Sequence, residues 1–124
     1  MKEKYSSKGL ITNIIKRIEE VKGEEVILID MKKIDNSPCD YFIVCDGSSN
    51  TQVNAIVSKI KKNVSKLFSE KPLNIEGLEN CKWVLIDYID IVVHVFQKEI
   101  RQYYNIENLW GDAKHTKFVS NLEL

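Results

Sequence analysis

The chain has 124 residues, 44% hydrophobic and 29% charged, which suits one globular domain and excludes a disordered or fibrous class. Eighteen basic residues balance eighteen acidic ones, so nothing suggests grip by phosphate neutralisation; a protein partner is expected, with little direct nucleic-acid binding. Cys39, Cys45 and Cys81 are odd in number and lack metal-ligand spacing, as expected of reduced thiols in the cytosol. Met1–Lys8 is polar with no apolar run behind it, and no stretch reaches the ~18 apolar residues of a membrane span. The expected location is cytoplasmic, with no membrane contact.

In chain order, Leu10, Ile11, Ile14, Ile15, Ile18 and Val21 recur at helical spacing, with Gly23 as the expected stop. Val26–Ile29 reads as a short strand, and Asp35–Pro38 as a turn. Asp40–Cys45 reads as a second strand that ends at Asp46-Gly47-Ser48-Ser49-Asn50. A second amphipathic helix is predicted from about Thr51 to Phe68, with Lys59, Lys61, Lys62 and Lys66 on its solvent side. Leu73–Gly77 suggests a short edge strand. Trp83–Tyr88 and Ile91–Phe96 form a predicted hairpin, although Ile89-Asp90 is poor turn chemistry. Lys98–Tyr104 reads as a short helix, and a polar tail runs to Leu124.

This order predicts an α+β fold: a mixed sheet of about five strands with two long helices packed on one face. Period-two alternation sends Ile91, Val93 and Val95 to one face and Val92, His94 and Phe96 to the other. Trp83, Leu85 and Asp87 likewise oppose Val84, Ile86 and Tyr88. Both faces carry large apolar groups, so the face without the long helices is either covered by another element or is a partner surface.

Little in the sequence points to chemistry. Asp87, Asp90 and His94 lack the spacing of any metal site, and read more simply as turn and surface polar groups. Asp46–Asn50 invites comparison with a phosphate cradle, but one glycine makes only a strand-to-helix turn with Ser or Asn as cap. A nucleotidyltransferase would need an Asp-x-Asp pair after such a turn, and none follows. Ser48 and Ser49 lack a nucleophile elbow, and Cys45 sits in an apolar run with no histidine adjacent. No cofactor, metal or catalytic residue is expected. Trp83, Tyr88, Phe96, Tyr103, Tyr104 and Trp110 concentrate aromatic anchors toward the C-terminal end.

Trp83–Phe96, followed by Glu99–Tyr104 and Leu109-Trp110-Gly111-Asp112, resembles the ribosomal silencing factor, or Iojap, family. Cys39–Cys45, Ser49-Asn50-x-Gln52-Val53 and Glu76-Gly77 match the same family in the same order. The resemblance covers roughly Leu10 to Asp112. It implies a fold similar to a nucleotidyltransferase palm without the catalytic carboxylates. It also implies a non-enzymatic role: binding the large ribosomal subunit through its protein fourteen, blocking subunit joining and so repressing translation. Organelle relatives act in ribosome assembly. Carried onto this chain, the contact surface is the hairpin, with Trp83 foremost and Asp87, Tyr88, Asp90 and His94 next. A homodimer through the same aromatics is a further expectation. Two departures stand out: Ile89 replaces the family's usual glycine in the hairpin turn, and residues 113–124 extend past the usual ending of a domain at 1–112.

Overall fold

A computed structural model describes residues 7–119. The elements are α1 (Ser7–Glu20), β1 (Glu24–Asp30), β2 (Tyr41–Gly47), α2 (Asn50–Phe68), β3 (Asn74–Glu76), β4 (Trp83–Asp87), β5 (Ile91–Gln97), α3 (Lys98–Tyr104), α4 (Ile106–Leu109) and β6 (Lys114–Phe118). Six strands form one sheet in the order β3-β4-β5-β2-β1-β6. Only β2 and β5 are parallel; the other neighbours are antiparallel.

The two long helices cover one face, as their periodicity predicts. Leu10, Ile14, Ile18, Val53, Ile56, Ile60 and Val64 are all fully buried against Ile43, Cys45, Val84, Ile86, Ile91, Val93 and Val95. Burying a side chain of this size contributes about 1.5–3 kcal/mol, so this layer dominates the fold's stability. At the end of α1 the stop differs from the expected glycine cap. Lys22 takes the left-handed conformation (φ 66°), and the Gly23 amide donates to the Ile18 carbonyl at 2.9 Å. A Cβ on Gly23 would lie 2.4 Å from Ile18 Cγ2, so glycine is needed there for closeness.

The loop before α2 is a capping box. Ser49 Oγ accepts from the Gln52 amide at 3.1 Å, while Gln52 Oε1 accepts from the Ser48 amide at 2.7 Å. Gln52 Nε2 also donates to the Lys22 carbonyl at 2.9 Å, tying α2 to the end of α1. The Ser48 and Gln52 amides are therefore engaged within the loop, which favours a cap over a phosphate cradle.

The sheet has six strands where about five were expected. The addition is β6, in the stretch read as a polar tail. It pairs antiparallel with β1 from Val26↔Phe118 to Asp30↔Lys114. Its first four residues are exposed, so backbone pairing and not an apolar face places it. Residues 120–124 lie outside the described residues.

The β4–β5 turn is strained. Ile89 has φ 78°, and the Asp90 amide donates to the Tyr88 carbonyl at 3.0 Å, closing a γ-turn of the rare positive-φ form. Left-handed backbone is an outlier for a β-branched residue. The Ile89 side chain is 63% exposed, so little packing would be lost on its removal. Ile89→Gly is expected to raise stability by roughly 1 kcal/mol, the relieved strain exceeding the entropy gained by the unfolded chain. Urea unfolding of both proteins checks this; a destabilised glycine variant would contradict it.

Candidate docking surface on the second sheet face

The face away from the long helices has its own core: Ile27, Ile29, Met31, Phe42, Val44, Val92, Phe96 and Ile106, with Trp83, Leu85, Ile100 and Trp110 packed against it. The chain from α3 to Trp110 covers part of this face. It is held there by a buried charge network. Arg101 Nη1 donates to Asp46 Oδ2 at 3.0 Å and to the Glu25 carbonyl at 2.7 Å. Arg101 Nη2 and Nε donate to Glu107 Oε2 at 2.8 and 3.0 Å. The Glu25 carbonyl is presented at an irregularity of β1, where the register with β2 shifts between Glu24 and Ile27 and Glu25 has φ 53°. Arg101 and Asp46 are only 6% and 3% exposed. Burial raises the Asp46 pKa, and the Arg101 guanidinium opposes that shift.

Beside this network runs a chain of rings. Trp83 stacks on Phe96 with centroids 4.8 Å apart, and donates Nε1–H to His94 Nδ1 at 3.1 Å. Phe42 meets His94 edge-on at 4.5 Å and Trp110 at 6.0 Å. On the outer side Trp83 lies 4.9 Å from the Tyr104 ring, which meets Tyr103 at 5.0 Å. Tyr104, Leu109 and Tyr103 are 51%, 73% and 81% exposed. A partly buried tryptophan is thus fixed from beneath by a histidine and a phenylalanine and continued outward by two open tyrosines. Rigid aromatics of this kind anchor protein partners at low entropic cost. Gly77 keeps the approach to Trp83 close: it has φ 93°, and a Cβ there would lie 2.0 Å from the Trp83 carbonyl oxygen.

Of the five expected contact residues, three reach the surface. Trp83 is half-buried in the ring chain. Asp87 is half-exposed, and its Oδ1 accepts from the Ile89 amide at 2.7 Å, shaping the hairpin turn. Asp90 is half-exposed too, and its carbonyl accepts from the Asp40 and Tyr41 amides, both at 3.0 Å. Tyr88 and His94, expected beside them, are both buried. Tyr88 is 6% exposed in the helix-side core, where burial pushes its hydroxyl pKa up to about 12. His94 is 4% exposed, and burial lowers its pKa to about 4. With Nδ1 accepting from Trp83, neutral His94 carries its proton on Nε2. Buried side chains shape a surface without touching a partner docked on it.

The Arg101–Asp46–Glu107 network escaped the sequence reading, which placed Asp46 in a turn. Its one signal was an arginine inside an otherwise apolar-spaced Ile100–Tyr104 run. All three cysteines are buried, and burial raises the Cys45 pKa to about 12 and that of Cys39 to about 11. Among the described residues, no group of three or more His, Cys, Asp or Glu is placed to hold a metal ion, and no helix is long and apolar enough to cross a membrane.

The family described as "Ribosomal silencing factor during starvation" matches residues 4–123. The ribosomal silencing factor RsfS of Halalkalibacterium halodurans is 42% identical over 108 residues, covering 87% of this chain and 91% of that protein. A crystal structure of a Chromobacterium violaceum protein superposes with a TM-score of 0.81 at 32% identity, covering 96% of this chain and 98% of that one. The mouse protein named "Mitochondrial assembly of ribosomal large subunit protein 1" is 32% identical over 73 residues, 57% of this chain and 32% of its own length. With nearly its full length matched in sequence and in fold, the chain belongs to the ribosomal silencing factor family.

Proposed function

We propose that this protein docks on the large ribosomal subunit in the cytoplasm through the second sheet face, and by its bulk excludes the small subunit. The observation that carries the reading is the open end of the ring chain, where Trp83 is held rigidly and Tyr103, Tyr104 and Leu109 stand largely exposed. Asp87 and Asp90 lie at the turn end of the same hairpin, away from Trp83, and suit a basic partner such as ribosomal protein fourteen of the large subunit. The mechanism is steric and needs no bond-making step. A second reading, a role in large-subunit assembly, draws on the name of the mouse relative.

Trp83→Ala removes the anchor and is expected to weaken docking by at least tenfold, a loss typical of a hot-spot tryptophan. Co-sedimentation with isolated large subunits reads this directly. The fold of the variant is checked by urea unfolding, because Trp83 also packs on Phe96. Full retention of binding by a folded variant would remove the ring chain from the interface.

A further inference from the structure

The even net charge of this protein hides a segregation. Residues 50–71 carry five lysines and one glutamate, whereas residues 72–112 carry seven acidic and three basic residues. Within α2 itself there are four lysines and no acidic residue. Lys59, Lys62 and Lys66 are spaced three and four apart, so they share one side of the helix. Like charges at these spacings destabilise a helix, and no acid in α2 relieves them. Among the described residues, no carboxylate is in ion-pairing distance of Lys62 or Lys66; Lys59 alone meets one, Glu20 of α1, at 3.6 Å. Contacts from Arg17 to Asn63 and from Glu20 to Lys59 show that α1 and α2 run antiparallel. Exposed Lys16, next to Arg17, therefore lies on the same solvent-facing layer as Lys62 and Lys66.

We infer that the outer face of α1 and α2 is a second docking surface, one that takes the phosphate backbone of folded RNA. Charge complementarity carries this: Lys16, Lys62 and Lys66 project from a layer that also exposes the small Ala55, Ser58 and Thr12, while its exposed acid, Glu20, is paired with Arg17 and Lys59. Small neighbours let a backbone approach closely, and Ser58 can offer a hydroxyl donor to phosphate, whereas the Thr12 hydroxyl donates to the Lys8 carbonyl at 3.0 Å. The absence of interleaved aromatics disfavours stacking on single strands but costs nothing on a duplex, which is recognised by shape and backbone. A membrane surface fits less well, because both helices turn their apolar stripes into the core and, among large apolar groups of the described helices α1 and α2, leave Leu67 alone exposed. This face lies on the opposite side of the sheet from Trp83, so the two surfaces are independent and a protein and an RNA can be held at once.

The test is fluorescence anisotropy of the full chain with a labelled RNA duplex of about two helical turns, across a salt series. Salt-sensitive binding is expected, with a log–log slope of about −2 to −3 for three neutralised phosphates. The double variant Lys62→Glu/Lys66→Glu should lose at least tenfold in affinity while keeping the parent's melting temperature. Both lysines are exposed, so the fold is expected to survive. No binding by the parent at low salt, or unchanged binding by the double variant, would overturn the inference. So would tighter binding to phosphatidylserine vesicles than to the duplex. None of these outcomes depends on the Trp83 surface, so either proposal can fail alone.

Discussion

Replacing Arg101 with methionine is expected to lower stability by about 3–5 kcal/mol, because it leaves a carboxylate buried without its cation. Asp46 is 3% exposed, and among the described residues Arg101 is the one cation that hydrogen-bonds to it. The same substitution removes the donor to the Glu25 carbonyl and frees Glu107, so α3 and α4 lose the Arg101 ties to β1 and β2 and are held mainly by apolar packing. Charge deletion on both sides should behave differently. Arg101→Met combined with Asp46→Leu is expected to recover a large part of the loss, since a buried ion pair stabilises little beyond an apolar pair of the same volume. Urea unfolding of the parent, the single variant and the double variant measures this. A cost below about 1 kcal/mol for Arg101→Met would mean that the network is solvated in solution. The exposed Lys98–Glu24 pair, although it is closer at 2.6 Å, is expected to matter far less, as surface pairs usually do.

Acid is expected to weaken the fold through His94. Its pKa is about 4 in the folded protein, against 6.5 as the ordinary value, and burial is the cause. Between these values the unfolded chain binds the proton and the folded chain does not. Stability from this group is thus fully present above about pH 6.5, falls as pH drops toward 4, and changes no further below that. The total is about 3 kcal/mol at 1.36 kcal/mol per pKa unit. His94→Gln keeps an acceptor for Trp83 and has no proton to bind, so the difference between parent and variant isolates this effect from the carboxylates. The parent should lose about 3 kcal/mol more than the variant between pH 7 and pH 4. Parallel losses in the two proteins would contradict a buried, neutral His94. Protonated Nδ1 cannot accept from Trp83, so the tryptophan fluorescence of the folded protein should hold steady down to about pH 5 and change only as pH falls through about 4.

Much of this was legible in the sequence, and the rest was not for physical reasons. The stripes of α1 and α2 and the alternation along β4 and β5 declare which groups face the helices, because period alone decides them. The short β3 edge strand was visible between Pro72 and Gly77. Strand β6 was not, because Lys114-His115-Thr116-Lys117 has no apolar face and is placed mainly by its backbone bonds to β1, with Phe118 packing on the core at its end. Nor does local sequence show that β2 and β5 pair in parallel, since the partners lie far apart in the chain. At the surface, Trp83 and the two tyrosines were found by residue type. The burial of Tyr88 and His94 was not legible, because polar tips on strand residues look alike whether they face solvent or the interior. Asp46 was misread because a carboxylate before Gly-Ser normally ends a strand in solvent, and only Arg101, 55 residues away, makes its burial tolerable.

Exclusion of the small subunit by the second sheet face is the central step of the proposed function. Light scattering of purified large and small subunits, mixed with or without this protein, tests it directly. The parent should suppress joining at concentrations that saturate the large subunit, and folded Trp83→Ala should restore joining at the same concentration. Normal joining in the presence of saturating, bound parent protein would contradict the account and leave large-subunit assembly as the better reading.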